Sequence, residues 1–170
     1  IFVREVRGEY TRVMARWMQY QATNKMVERV RKNLKGEDNR KNGLIWHWLG
    51  SGKTLTMIFT ANKIWALNIL VNPTIFFVVD RVELEEQLMT EYEALKITLP
   101  PLERIESVKD LLETLKLSKR GVFLTLIHKF RPEEIKTLIE ELERLSATTE
   151  DETILTRKNI IVFIDEGHRT

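Results

Sequence analysis

The chain has 170 residues, 43% hydrophobic and 31% charged, which is enough apolar surface for a folded core and argues against a disordered or low-complexity chain. Its 27 basic and 25 acidic residues leave a formal charge of +2, so the overall balance indicates no polyanionic partner and any nucleic-acid contact would have to be a local stripe. With no cysteine, disulfides, zinc–thiolate sites and thiol chemistry are excluded and a reducing cytoplasm is the expected compartment.

No run approaches the roughly 18 consecutive apolar residues of a membrane span. The first residues, Ile1 and Phe2, do not have the layout of a signal peptide. The missing initiator Met and the stop at Thr170, just after an expected strand, suggest a piece of a longer chain.

In chain order, Val13, Trp17, Tyr20, Val27, Val30 and Leu34 recur at close to helical spacing among Arg and Lys, and predict an amphipathic helix over 13–34. Residues 35–43 are polar, with Gly and Asn, and read as a loop. Leu44, Ile45, Trp46, His47 and Trp48 are aromatic and branched, and a Gly-rich turn follows; they predict a buried strand. A mostly apolar helix is expected over 54–70, a strand over 74–79 and a helix with a Glu-rich face over 82–97. Pro100 and Pro101 then break the pattern. Ser107 is a suitable N-cap for a helix over 107–117. A strand over 121–127, a helix over 131–145 with Pro132 in its first turn, a polar linker over 146–152 and a strand over 160–164 complete the chain.

Continuous apolar strands alternating with helices predict an α/β domain whose mainly parallel sheet is covered on both faces. Ligands of such sheets sit at the carboxyl ends of the strands. Both polar signatures of the chain, residues 50–54 and Asp165 with Glu166, directly follow predicted strands.

Gly50, Ser51, Gly52, Lys53 and Thr54 form the first signature. Glycines let the main chain curl so that successive N–H groups converge on anionic oxygens. A helix starting there adds unpaired N–H groups and the positive end of its dipole. Lys53 suits the β and γ phosphates of a nucleotide, and the Thr54 hydroxyl suits Mg²⁺. The competing account is an ordinary Gly-rich turn. His47 stands where the full phosphate-loop pattern begins with Gly, and Leu55 breaks a dinucleotide-binding fingerprint.

In the second signature, an Asp at a strand end holds Mg²⁺ and an adjacent Glu orients and deprotonates water. Asp165 and Glu166 fit those roles; as isolated acids they would equally suit a loop or a helix start.

These residues resemble the motor (R) subunit of type I restriction-modification enzymes, within the superfamily 2 helicases. Leu44 to His47 followed by Gly50 to Thr54 is similar to that family's first helicase motif, in which His47 is the usual residue. Phe76 to Arg81 with Leu84, Gln87 and Leu88, then Gly121 to Thr125 through Phe130, resemble the next two motifs. Ile161 to Arg169 resembles its DEAH box, and Arg16 to Ala22 the upstream adenine-reading segment.

The resemblance implies a P-loop NTPase of RecA-like, three-layer architecture. Residues 1–170 would be the N-terminal part of the first motor lobe, through the DEAH-type box, with a preceding helix over 10–35 carrying the adenine reader. It implies ATP and Mg²⁺ as cofactors, double-stranded DNA as the track, and modification and specificity subunits as partners, with no membrane. By matched position, Gly50, Ser51, Gly52, Lys53 and Thr54 would bind phosphate, Thr54 and Asp165 the metal and Glu166 the water. Gln19 would sense adenine, and Arg81 and Lys129 would touch the DNA backbone. Trp48 and Leu49 stand where the family has small or polar residues, Gly167 replaces its Ala, and His128 its Gln. Another superfamily 2 helicase, a small-molecule kinase and a catalytically weak nucleotide-binding module are the competing classes. Without a second lobe, weak binding and slow turnover are expected.

Overall fold

The computed structural model describes residues 1–48, 50–97, 99–148 and 157–165. In chain order the elements begin with β1 (Phe2–Val6), β2 (Glu9–Val13), α1 (Trp17–Leu34), α2 (Lys53–Trp65), β3 (Thr74–Val79), α3 (Val82–Ala94) and β4 (Leu95–Lys96). They continue with β5 (Leu102–Arg104), α4 (Val108–Lys116), β6 (Gly121–Leu126), a 3₁₀ turn (Ile127–Lys129), α5 (Pro132–Thr148) and β7 (Ile160–Ile164). The chain divides into two compact units, Ile1–Val71 with Gln87–Leu99, and Asn72–Glu86 with Pro100–Thr170.

The first unit opens with a hairpin of β1 and β2, with Val6 paired to Glu9. Arg7 and Gly8 turn it at φ 53° and 81°, the two positive angles that let a two-residue loop follow the strand twist. β4 pairs antiparallel with β1, giving the sheet order β2-β1-β4. Val13 closes β2, so the first helix starts at Trp17 and not at 13. The predicted helix over 82–97 likewise stops at Ala94, because its last residues pair with β1. α2 buries Ile58, Phe59, Ala61 and Ile64. Phe2 stacks on Phe59 with ring centroids 4.0 Å apart, which ties the hairpin to this helix.

The second unit holds the parallel sheet, in the order β5-β6-β3-β7. Thr74 of β3 stands opposite both Gly121 of β6 and Ile160 of β7. Ile75, Phe77, Val122 and Leu124 are buried along the middle strands, each stabilising the fold by about 1.5–3 kcal/mol through removal of apolar surface from water. Phe76, Ile105 and Phe123 form a further cluster that Leu111, Leu115, Phe130 and Ile160 close over. Ser107 caps α4 as expected, accepting from the Asp110 N–H at 3.1 Å.

Three of the four predicted strands are in this sheet; the fourth member is the short β5. Residues 44–48 are not a strand. They form no ladder, and Leu44 and Trp46 are 80% and 83% exposed. An apolar run becomes a strand only when a neighbour accepts its N–H and C=O groups, and none of the described strands does so here. The expectation that both polar signatures hang from one sheet therefore fails for residues 50–54. β7 also departs from the expected burial on both faces: Val162 and Ile164 are 51% and 54% exposed on this edge strand. α5 runs through Thr148 into the expected linker, whose remainder lies outside the described residues.

Candidate functional site: a glycine-curled loop ahead of α2

The loop at residues 50–54 is shaped by two glycines in the left-handed region, Gly50 at φ 76° and Gly52 at φ 80°. The Ser51 N–H closes a tight turn on the Trp48 carbonyl at 3.2 Å. Gly52 is the N-cap of α2 and has no side chain to cap it. The N–H groups of a helix's first turn have no intrahelical acceptor, so the loop presents an electropositive main-chain end where Lys53 and Thr54, both half-buried, begin the helix. Ser51 is buried, and its Oγ has no hydrogen-bond partner. Trp48 is 65% exposed. Leu49 lies outside the described residues.

Gln19 is brought directly to this loop. Its Nε2 donates to the carbonyls of Ser51 at 3.1 Å and Gly52 at 3.3 Å, and its Oε1 accepts from the Arg16 N–H at 2.9 Å. The amide nitrogen is thus engaged with two adjacent loop carbonyls. A Cβ on Gly52 would lie 2.3 Å from Gln19 Nε2, so this close approach is what requires glycine there.

A buried polar seam, absent from the sequence reading, continues from that contact. The Thr56 hydroxyl reaches the Gly52 carbonyl at 3.1 Å and the Thr60 hydroxyl reaches the Thr56 carbonyl at 2.7 Å. Thr60 and Thr23 hydroxyls meet at 3.3 Å between the two helices. The available signal was polar residues one turn apart, Gln19 with Thr23 and Thr56 with Thr60, on otherwise core-facing helix sides.

In the second unit, Asp165 follows β7 and is buried, and its N–H donates to the Val78 carbonyl at 2.9 Å. Arg81 follows β3 and Lys129 follows β6. Because these strands are parallel neighbours, all three residues stand at the carboxyl edge of the sheet. Arg81 is exposed, 3.7 Å from the Asp80 carboxylate. Lys129 is held between carboxylates: it pairs with Glu106 and lies 3.7 Å from Glu85 Oε1, a buried oxygen without a hydrogen bond. Arg104 reaches the same oxygen at 3.9 Å. Nothing in the sequence reading pointed to this acidic surround. Glu166, Gly167 and His168 of the expected acidic box lie outside the described residues.

In the first unit a glycine-curled loop starts a helix, and in the second a parallel sheet ends in a buried Asp; each feature is common among nucleotide hydrolases, and the sequence agrees. Residues 18–170 match the SWI2/SNF2 ATPase family, and the chain belongs to that family. Within it, the similarity is to endonuclease subunits of type I restriction enzymes. The chain is 33% identical over 174 residues to the type I restriction enzyme HindI endonuclease subunit of Haemophilus influenzae, covering all of this chain and 15% of that one. It is 44% identical over 138 residues to a protein of Methanocaldococcus jannaschii named as a candidate type I restriction enzyme MjaVIIP endonuclease subunit, covering 74% of this chain and 13% of that one. A Mycoplasma pneumoniae protein, named as the C-terminal part of the candidate MpnIIP endonuclease subunit of a type I restriction enzyme, is 35% identical over 156 residues, covering 88% of this chain and 68% of that one. The chain thus spans less than a fifth of the first two relatives. No solved structure matches it. Among the described residues, no helix is long and apolar enough to cross a membrane.

Proposed function

We propose that this chain is the nucleotide-binding part of the motor subunit of a type I restriction enzyme, using ATP with Mg²⁺ to drive translocation on double-stranded DNA ahead of cleavage. The observation that carries the reading is the loop: two left-handed glycines immediately before an uncapped helix, with a buried, unpartnered Ser51 hydroxyl inside it. That arrangement fits a chain of phosphates, since it offers main-chain donors and a helix dipole and no carboxylate of its own.

In this reading residues 1–170 belong to a first RecA-like motor lobe, with residues 10–35 carrying the base reader. Main-chain N–H groups of Gly50, Gly52 and Lys53, with the Ser51 hydroxyl, hold the β phosphate region, and the Lys53 ammonium follows the γ phosphate. Thr54 and Asp165 hold Mg²⁺, which when bound neutralises charge developing on the phosphates. Glu166 orients and deprotonates the attacking water. Gln19 reads the adenine edge by exchanging one of its loop bonds for the base. Arg81 meets DNA phosphates directly, and Lys129 does so by leaving Glu106. Modification and specificity subunits complete the assembly, in the cytoplasm.

Calorimetric titration of the chain with Mg–ATP, beside Lys53→Ala, tests the site. A charge-assisted contact is worth about 1.5–3 kcal/mol, so affinity should drop about tenfold or more. Equal affinities would remove the basis for the phosphate site.

A further inference from the structure

We infer that α1 is an outer clamp on the phosphate loop, with Gln19 and Thr23 as positioning residues that aim the loop's N–H groups before any anion arrives; this rests on the phosphate reading above. The carbonyls of Ser51 and Gly52 belong to the same peptide units as the N–H groups of Gly52 and Lys53. In a trans peptide the C=O and N–H point in opposite directions. By drawing both carbonyls toward α1, at 3.1 and 3.3 Å, Gln19 turns those two N–H groups away from α1 and keeps the carbonyl oxygens from facing the phosphates.

The Gly52 carbonyl is the centre of the clamp. It accepts from the Thr56 N–H at 3.0 Å, the Thr56 hydroxyl at 3.1 Å and Gln19. Behind it, Thr60 lies against Thr23, one turn beyond Gln19 on α1. Gln19, Thr23, Thr56 and Thr60 are all buried, Thr60 fully. Burying such groups is unfavourable unless each is hydrogen-bonded, so the seam fixes one rotation of α1 against α2. Valine would fill the same volume at positions 23 and 60 without fixing that rotation. Thr23 thereby sets where the Gln19 amide stands, although it touches neither loop nor anion.

The test is binding of two probes, Mg–tripolyphosphate and Mg–ATP, to the chain and to Thr23→Val, Thr60→Val, their double variant and Thr23→Ser, with thermal melts in parallel. The clamp acts on the phosphate cup, and in the reading above Gln19 also meets the base. Thr23→Val should therefore weaken Mg–tripolyphosphate about five- to tenfold and Mg–ATP at least as much. Thr60→Val removes the same contact from the other helix together with the Thr60 bond to the Thr56 carbonyl and should weaken binding at least as much, the double variant should be no worse than Thr60→Val, and Thr23→Ser should restore binding. A loss of melting temperature with unchanged affinity, or losses that multiply in the double variant, would overturn the inference. So would Thr23→Val affinity within twofold of the parent while Lys53→Ala still weakens binding about tenfold or more. If Lys53→Ala binds tripolyphosphate as the parent does, the phosphate reading itself fails and takes the inference with it.

Discussion

Replacing Gly52 by alanine disturbs the loop in two ways that can be sized separately. The residue sits at φ 80°, where an L side chain costs about 1–2 kcal/mol. Stiffening of the unfolded chain offsets about 0.4–1 kcal/mol of that, leaving about 1 kcal/mol. The new Cβ would also lie 2.3 Å from Gln19 Nε2. The amide is the end of a flexible side chain and can withdraw, but it then loses its bonds to Ser51 and Gly52. At about 0.5–1.5 kcal/mol each, this adds about 1–3 kcal/mol, for a total of about 2–4 kcal/mol. Gly50 is the control: its φ is 76° and nothing lies within 4 Å of a Cβ there, so Gly50→Ala should cost only the first part. In urea, with a slope of about 2 kcal/mol per molar, the midpoint should fall by about 1–2 M for Gly52→Ala and about 0.5 M for Gly50→Ala. In a Gln19→Ala background the Gly52 penalty should shrink to that of Gly50. Equal shifts for the two glycines, or additive costs in the double variant, would refute the assignment of Gly52 to its contact with Gln19.

Ser107→Ala removes the cap of α4 and should lower stability by about 1 kcal/mol in the same denaturation, with Ser107→Asp retaining it; no loss from Ser107→Ala would show that the cap contributes nothing. Burial pushes the Tyr92 phenol upward from its ordinary pKa. The folded chain then keeps a proton that the unfolded chain releases, so this contribution is complete below about pH 10 and declines above it by up to about 1.4 kcal/mol per pH unit. Urea unfolding from pH 9 to 11 should show the decline in the parent and a shallower one in Tyr92→Phe.

Elements were legible where burial alone decides them. β3 and β6 are continuous apolar runs between turn residues, and their sequence carries both the strand and its two covered faces. Residues 44–48 look alike by composition, yet a strand is a property of a pair, and composition does not say whether a partner is at hand. The β1–β2 hairpin escaped for the converse reason: its strands mix Arg, Glu and Thr among single apolar residues, and its turn is Arg7-Gly8 in place of the commoner Asn-Gly. β4 is two residues at the end of a helical pattern, too short for any period to register. At the loop, the left-handed turn at the glycines and the helix start at Lys53 were readable because both are local in sequence. The Gln19 contact, 32 residues from Ser51, and the carboxylates around Lys129 depend on how separate segments pack, which no spacing rule encodes.

The exposed segment ahead of the loop gives the chain an optical property. Of its four tryptophans, Trp17, Trp46 and Trp48 are solvent-facing and Trp65 is half-buried. Emission is therefore dominated by water-relaxed indoles, one of them two positions before Gly50. An anion settling into the loop would change the surroundings of that indole, so binding at the proposed site should be readable in the native fluorescence of the unlabelled chain.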